Sequence, residues 1–365
     1  MDANIPSGLP GIDLPASHSG IYLRLPLARL LCHFKAAVFV MPILLSLFTP
    51  TPAQAKAKKD PGKASIDKSG WHGWYWPTDP AGGPTLYDKN GPLSKFDAFV
   101  GLDDARGARS YEEKHDGAKG ATWWGHCDPW SASSINQAQP TTPHAFNAVA
   151  LGVGDQKGLI TEYYDDNAGS RHGHIISGSS KPAVVWKALQ QYVRDARTAI
   201  VFELNPGQQV WNHPVYRYEV EYQPAPTPSA PDRHRCNLRI WAKRDVISPD
   251  FVDLHDEKQT FSFGKYSGLA VIERQYDFEV DVKNGVPVVN TGTWTSMDHP
   301  DFVWVSRRGY FSSNKELIKE VVDFVVYGGK LIVDNPTTET PAQAGDVKHP
   351  QPIDVDIRLQ TQQGT

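Results

Sequence analysis

Cysteine and net charge are both scarce in this chain. Its 365 residues include three cysteines, which are too few for a disulfide scaffold. The formal net charge of -4 excludes a protein whose main function is to bind nucleic acid. Apolar residues make up 40% and charged residues 21%, a balance that excludes wholesale disorder. The composition therefore indicates a globular chain of one large domain or two modest ones.

The sequence also lacks an apolar run long enough to span a bilayer well. Three basic residues between positions 24 and 35 precede a short apolar run at 36–48, and Ala-Gln-Ala follows at 53–55. This order is typical of a secretory signal. Residues 1–55 are therefore predicted to be a signal peptide cleaved after Ala55, the alternative being a retained N-terminal anchor. The mature protein is predicted to be secreted or periplasmic, without a membrane partner.

Tryptophan is abundant, and its distribution locates the folded part. All 11 tryptophans lie between Trp71 and Trp304, so residues 71–335 are predicted to form the main domain. Residues 56–70 contain several lysines with Pro and Gly but no interleaved aromatic residues. We expect them to form a basic, solvated linker rather than a nucleic-acid-binding patch. The tail at 336–365 is expected to be loose.

Helix signals come first along this domain, and strand signals follow. A helix is predicted from Cys127, because the next two residues, Asp and Pro, suit a first helical turn. A second helix is predicted at 181–196, where apolar residues form a one-sided stripe. The main strand predictions cover 199–204, 216–222, 237–246 and 276–282, with a hairpin turn at 283–285. Helices followed by antiparallel strands indicate an α+β fold.

Cys127 lies where the first of these helices begins. The first N–H groups of a helix are unpaired and its dipole is positive there. A thiol at this position loses its proton more easily, and the free N–H groups can hold the oxyanion of an acyl intermediate. Cys127 is therefore a candidate nucleophile, and Trp124 or its neighbour is a candidate donor. Two other interpretations stay open: a buried small residue, or a disulfide with Cys236.

Cys127 belongs to one of four motifs that carry a family resemblance. Gly-His-Cys-Asp-Pro-Trp at 125–130 resembles the active-site signature of the transglutaminase elicitor family, known from oomycete cell walls and from bacteria. Val-Trp-Asn-His-Pro-Val at 210–215 resembles its Val-Trp-Asn-x-Pro-Val elicitor element. His-Pro-Asp-Phe-Val-Trp at 299–304 is similar to its His-Pro-Asp-Phe-x-Trp element, and Gly-Trp-Tyr-Trp-Pro at 73–77 to its aromatic entry. The motifs span most of the mature chain in a single order.

The resemblance implies a papain-like, transglutaminase-like fold for 71–335 and protein-glutamine γ-glutamyltransferase activity. In that chemistry the Cys127 thiolate attacks a glutamine side-chain amide, ammonia leaves, and a lysine or polyamine accepts the acyl group. The family's calcium dependence makes Ca²⁺ the one cofactor that the resemblance suggests. The chain departs from the oomycete form at His213, where that form has Gln, and at Asp128 after the nucleophile.

A thiol nucleophile needs an imidazole base and a group that orients it. His299 belongs to a motif that the resemblance carries over intact, with Asp301 beside it as the leading candidate for the orienting acid. His213 precedes a long strand, the setting in which papain-like enzymes place their base, although the oomycete Gln argues against it. Both histidines stay candidates. The cleft and oxyanion site are expected to be lined by Trp124, Trp130 and Trp211, together with the other tryptophans of the motifs.

No metal site is predicted. His172-Gly173-His174 has no partner at zinc spacing, and Tyr164-Asp165-Asp166-Asn167 lacks an EF-hand pattern, so both are interpreted as loops. Two rival functions stay open. One is a cysteine peptidase or glutamine deamidase on the same fold, and the other is a non-catalytic cell-wall-binding or recognition protein that uses its aromatic face.

Overall fold

The computed structural model describes residues 56–102, 107–117, 120–146, 148–165, 173–306, 330–333 and 357–360. The predicted signal peptide at 1–55 lies outside these ranges and stays a prediction. Within them, no helix has both the length and the apolar character needed to cross a membrane.

The helices of the described ranges precede most of the long strands, as expected. They are α1 (Pro92–Val100), α2 (Ala108–His115), α3 (Cys127–Asn136), α4 (Val153–Tyr164) and α5 (Pro182–Ala188). The helix predicted from Cys127 is confirmed as α3, in which Pro129 is tolerated because the first turn lacks N–H partners. The helix predicted at 181–196 is also confirmed, since α5 continues into a π-helical segment, Leu189–Asp195.

An antiparallel sheet supports these helices. Its strands are β1 (Lys58–Lys63), β4 (Gly173–Ile175), β5 (Ile200–Glu203), β6 (Asn212–Pro224), β7 (Arg233–Ala242), β10 (Ile272–Lys283), β11 (Val286–Pro287), β12 (Thr293–Trp294) and β13 (Val303–Ser306). The other strands in the described ranges form two-stranded ribbons: β2 (His144–Phe146) with β3 (Val149–Leu151), β8 (Thr260–Phe263) with β9 (Tyr266–Leu269), and β14 (Lys330–Val333) with β15 (Ile357–Gln360). The main order is β11-β10-β7-β6-β5-β13-β4, with β1 on β6 and β12 on β10.

Both faces of this sheet are covered. Along β5, Val201 belongs to a core that includes residues of α1, α3 and α4, whereas Phe202 belongs to a second core built with α5. Successive strand residues point to opposite faces, so this alternation places one helical layer on each side. The α+β prediction is confirmed, and α3 lies against β6 and β13, two inner strands of the sheet.

The prediction of a solvated linker at 56–70 is wrong for the central part of that segment. Lys58–Lys63 pairs antiparallel with β6, from Lys58 opposite Tyr222 to Lys63 opposite Arg217. Asp60 accepts hydrogen bonds from Trp186 Nε1 at 2.6 Å and from Gln190 Nε2 at 2.8 Å, which anchors the strand on the helical layer. A basic strand with a proline is tolerated at this position because it has only one paired edge.

The tail expected to be loose contains one strand in its described part. β15 pairs antiparallel with β14, from Lys330 opposite Gln360 to Val333 opposite Ile357. The prediction of a loose tail is therefore wrong for these four residues of 336–365.

Candidate active site

Cys127 is the first residue of α3, and the preceding motif holds it in place. His126, the N-cap residue, donates its backbone N–H to Tyr75 O at 2.6 Å, and Gly125 forms a β-bridge with Pro77. The aromatic motif at 73–77 thus packs directly against the cysteine motif. Cys127 is 7% exposed and its thiol is free, so the disulfide interpretation does not describe this structure.

Two other motifs meet at the Cys127 sulfur. Asn212 Nδ2 donates to Cys127 Sγ at 3.4 Å, and Trp304 Nε1 donates to Asn212 Oδ1 at 2.8 Å. The thiol also lies 3.8 Å from Val210 O. Ser131 Oγ on α3 donates to Asn212 O at 2.9 Å, which ties the helix to the start of β6. The structure therefore joins the cysteine motif, the Val-Trp-Asn motif and the final Trp motif in one hydrogen-bonded cluster.

The electrostatics of Cys127 differ from the sequence expectation. Burial raises the pKa of its thiol, and the nearby Asp128 carboxylate raises it further. The hydrogen bonds from Asn212 act in the opposite direction but do not outweigh them. The helix N-terminus was expected to lower the pKa of the thiol, but the surroundings of Cys127 raise it. The resting thiol therefore holds its proton at neutral pH and needs a base.

Neither candidate histidine is hydrogen-bonded to Cys127 among the described contacts. His213 is buried beside Asn212, and its Nδ1 lies 3.1 Å from Lys243 O and 3.9 Å from Asp245 Oδ1. Burial lowers the pKa of His213, which favours the neutral ring. Since a carbonyl only accepts, Nδ1 carries the proton and Nε2 has the free lone pair.

His299 has different surroundings. Its ring stacks on Trp294 with the centroids 5.5 Å apart, and Nδ1 donates to Pro300 O at 3.0 Å. Asp301 is exposed, and its backbone N–H donates to Glu203 O at 3.2 Å. Neither a hydrogen bond nor an ion pair joins the side chains of His299 and Asp301 in the described part of the chain, so the structure does not bring this pair together as base and acid.

Asp245 is a candidate residue that sequence reasoning missed. It lies just after β7, is buried, and acts electrostatically on both the Cys127 thiol and His213. The signal that could have found it is pairing: β6 and β7 are antiparallel neighbours, so the end of β7 lies beside the start of β6. Both strands were predicted, but their register was not.

Three aromatic side chains close to the cysteine motif in the sequence or the fold contact one another. Trp124 is 49% exposed, and Trp211 is half-buried with its ring centroid 5.2 Å from that of Tyr75. Trp123 lies 6.1 Å from Trp124 and 6.4 Å from Trp211 between ring centroids. Trp124 and Trp211 are thus accessible beside the cysteine motif, which suits a role in contacting substrate.

The prediction that Trp130 lines the cleft is wrong. Its side chain is 0% exposed and packs edge-on against Trp71 at 6.5 Å between centroids. Trp74, Trp76 and Trp304 are also buried, so most of the motif tryptophans belong to the core rather than to one cleft wall. The reason is that large aromatic rings bury the most apolar area when they lie between the sheet and the helices.

Glu203 is a second buried carboxyl group, and it lies beside the start of β6. It lies opposite Asn212 in the β5–β6 register, and its Oε2 accepts a hydrogen bond from Trp211 N–H. Burial raises the pKa of Glu203 to about 8, with Asp301 and Asp245 adding to the effect. Glu203 is therefore largely protonated at neutral pH and adds little negative charge near Asn212.

The architecture that positions Cys127 has a solved counterpart. The fold is similar to that of a transglutaminase. The crystal structure of the GP42 transglutaminase from Phytophthora sojae has a TM-score of 0.55 to this chain, with 16% identity, and covers 73% of this chain and 92% of that one. Identity at this level shows the fold alone. No protein-family model matches the sequence, and no curated protein matches it significantly.

Among the described residues, one group of side chains could hold a metal. Glu112, His126 and Glu162 are all buried, and their ligand atoms lie within 4.8 Å of one another. This set does not fit Ca²⁺, which takes six to eight oxygen ligands and not an imidazole nitrogen. In the segment Tyr164-Asp165-Asp166-Asn167, Asp165 caps α4, while Asp166 and Asn167 lie outside the described residues.

Proposed function

We propose that this protein is a transglutaminase-like acyltransferase that uses Cys127 as its nucleophile and acts after export. The observation that carries the proposal is the hydrogen-bond chain from Trp304 through Asn212 to the Cys127 sulfur. A fold similar to that of a transglutaminase supports the same chemistry by analogy. Cys236 is a poor alternative nucleophile, because it lies within β7 in the second core and is 2% exposed.

The proposed reaction has two acyl-transfer steps. Cys127 Sγ gives its proton to the base and attacks the γ-carboxamide carbon of a protein glutamine. The C–N bond breaks, the leaving nitrogen takes a proton, ammonia departs and a thioester remains. A lysine or polyamine amine then attacks the thioester, which forms an isopeptide bond and returns the thiol. When water is the acceptor, the product is glutamate.

We propose His213, with Asp245 beside it, as the base. Its Nδ1 faces Lys243 O and Asp245, which leaves the Nε2 lone pair as proton acceptor. Asp245 acts electrostatically on both members of the pair, whereas His299 is held by Trp294 and Pro300. Catalytic hydrogen bonds are often long before substrate binds and tighten only in the complex, so a missing Cys127–His213 bond does not exclude this pair.

Asn212 and the start of α3 supply the donors that this chemistry needs. The Asn212 amide donates to the sulfur, and a bond to a thiolate is stronger than one to a thiol. The first N–H groups of α3 can hold the oxyanion of the tetrahedral intermediate. Trp124 and Trp211 offer apolar surface for the methylene stem of the glutamine.

One assay tests the proposal. The mature protein is incubated with a glutamine peptide and a labelled primary amine, with Cys127→Ala and Cys236→Ala as variants. We expect incorporation that Cys127→Ala abolishes and Cys236→Ala retains. Incorporation that survives Cys127→Ala contradicts the mechanism. Ammonia release without incorporation indicates a deamidase, and peptide cleavage indicates a peptidase. No reaction with any substrate favours the non-catalytic binding protein.

A further inference from the structure

Three buried side chains from separate helical segments converge beside the cysteine motif. Glu112 comes from α2, His126 is the residue before Cys127, and Glu162 comes from α4. Each offers one ligand atom, and these atoms lie within 4.8 Å of one another. The reaction proposed above uses none of the three.

His126 is oriented as metal-binding histidines are. Its Nδ1 donates to Trp76 O at 2.8 Å, which directs Nε2 toward Glu112 Oε1 at 3.0 Å. Ligating histidines usually donate their other ring N–H to a carbonyl or carboxylate, which fixes the tautomer and the ring plane. The backbone carbonyl of Trp76 has that function here.

Glu112 supplies the second, independent observation. Its side chain is 1% exposed, and its Oε2 has no hydrogen-bond donor among the described residues. A buried carboxylate oxygen without a donor carries a large desolvation penalty unless a cation compensates it. The Glu162 side chain, which is also buried, brings a second carboxylate oxygen to within 4.8 Å of the other two ligand atoms. The position between Nε2 and these carboxylates therefore favours a cation.

The donor set selects the class of ion. One imidazole nitrogen with carboxylate oxygens suits zinc and manganese, whereas calcium and magnesium prefer oxygen ligands alone. We propose that Glu112, His126 and Glu162 bind one divalent transition-metal ion of the zinc or manganese type, with water completing its coordination. The ion links α2 and α4 to the residue before the nucleophile, and so holds the start of α3.

The competing interpretation is a metal-free ion pair between His126 and Glu112. The full mature protein is stripped with EDTA, and Zn²⁺, Mn²⁺ and Ca²⁺ are titrated separately by calorimetry. We expect one equivalent of Zn²⁺ or Mn²⁺ to bind and to raise Tm, with no such effect from Ca²⁺. Failure of both transition metals to bind stoichiometrically overturns the proposal, as does tighter binding of Ca²⁺.

Variants locate the site. Glu112→Gln keeps the shape but loses the ligand charge, and Glu113→Gln changes the neighbouring exposed residue on the same helix. Loss of an outer-shell partner costs roughly 10- to 100-fold in metal affinity. We expect at least that loss for Glu112→Gln and unchanged affinity for Glu113→Gln. Equal affinity in both variants overturns the assignment.

X-ray absorption of the zinc-loaded wild-type protein keeps the proposal testable even where Glu112→Gln fails to fold. We expect a shell of nitrogen and oxygen only, with one imidazole. A sulfur in the shell shows that Cys127 or Cys236 binds the zinc instead, and overturns the proposal. Metal binding requires no turnover, so these outcomes are independent of the amine-incorporation assay.

Discussion

The side-chain amide of Asn212 donates a hydrogen bond to the Cys127 sulfur at 3.4 Å, although the two residues are 85 positions apart. Trp304, a further 92 positions along the chain, fixes the amide by donating to its oxygen. With Oδ1 occupied in this way, the Nδ2 donor is directed at the sulfur. The nucleophile is thus held by two segments besides its own.

Asn212→Ala removes this donor. We expect kcat/KM for amine incorporation to fall roughly 10- to 100-fold, because the thiolate and the transition state lose a directed hydrogen bond. Asn237→Ala is the matched control, since its amide bonds Asp277 on the same sheet. Steady-state kinetics of both variants test this expectation, and an equal loss in the two contradicts it.

His213→Gln and His299→Gln decide which imidazole is the base. We expect His213→Gln to lower kcat about 100-fold or more, the usual contribution of general-base catalysis, and His299→Gln to change it only slightly. We expect Asp245→Asn to lower kcat, as His213→Gln does. Asp301→Asn should change kcat only slightly, as His299→Gln does. The measurement is kcat against pH for the four variants. The reverse pattern assigns the base to His299 and the acid to Asp301.

Trp304→Phe keeps an aromatic ring but removes the N–H that holds Asn212. The amide oxygen is then buried without its donor, which costs about 1–3 kcal/mol of unfolding free energy. Because Asn212 also loses its fixed direction, we expect kcat to fall while KM changes little. Trp294→Phe is the control, since its indole donates to Ser180 O at 2.8 Å. A similar loss of kcat in both variants indicates a structural role only.

Glu203→Gln tests the raised pKa of a buried carboxyl group. The folded-state pKa of about 8 lies above the ordinary 4.5, so the folded state holds a proton that the unfolded state releases between these values. The wild-type free energy of unfolding therefore falls as pH rises from about 5 to 8. Glu203→Gln mimics the protonated form and should be more stable than wild type by about 4 kcal/mol at pH 8, but by only about 1 kcal/mol at pH 5.

Urea unfolding at pH 5, 6.5 and 8 measures this difference. Glu221→Gln, an exposed carboxylate on β6, serves as the control for loss of a charge. A stability difference between Glu203→Gln and wild type that is independent of pH shows that Glu203 is ionised in the folded state.

Local signals were sufficient for several elements. The predicted turn at 283–285 is confirmed, with Asn284 and Gly285 at φ of 53° and 79° between β10 and β11, because few residues other than Asn and Gly adopt that backbone. The start of α3 was likewise readable from its first-turn residues. In contrast, β1 has no alternating apolar pattern, because none of its side chains is buried, and its sequence therefore predicts a linker.

Residue chemistry and short-range periodicity are enough to identify the candidate nucleophile, the helix that begins at it and the α+β class. Which side chains meet Cys127 depends instead on the three-dimensional fold. It placed Asn212 at the sulfur and Asp245 within electrostatic reach, buried Trp130, and kept His299 against Trp294. Those outcomes depend on strand register and on contacts between distant segments, and a shift of one residue in a strand reverses the face to which each side chain points.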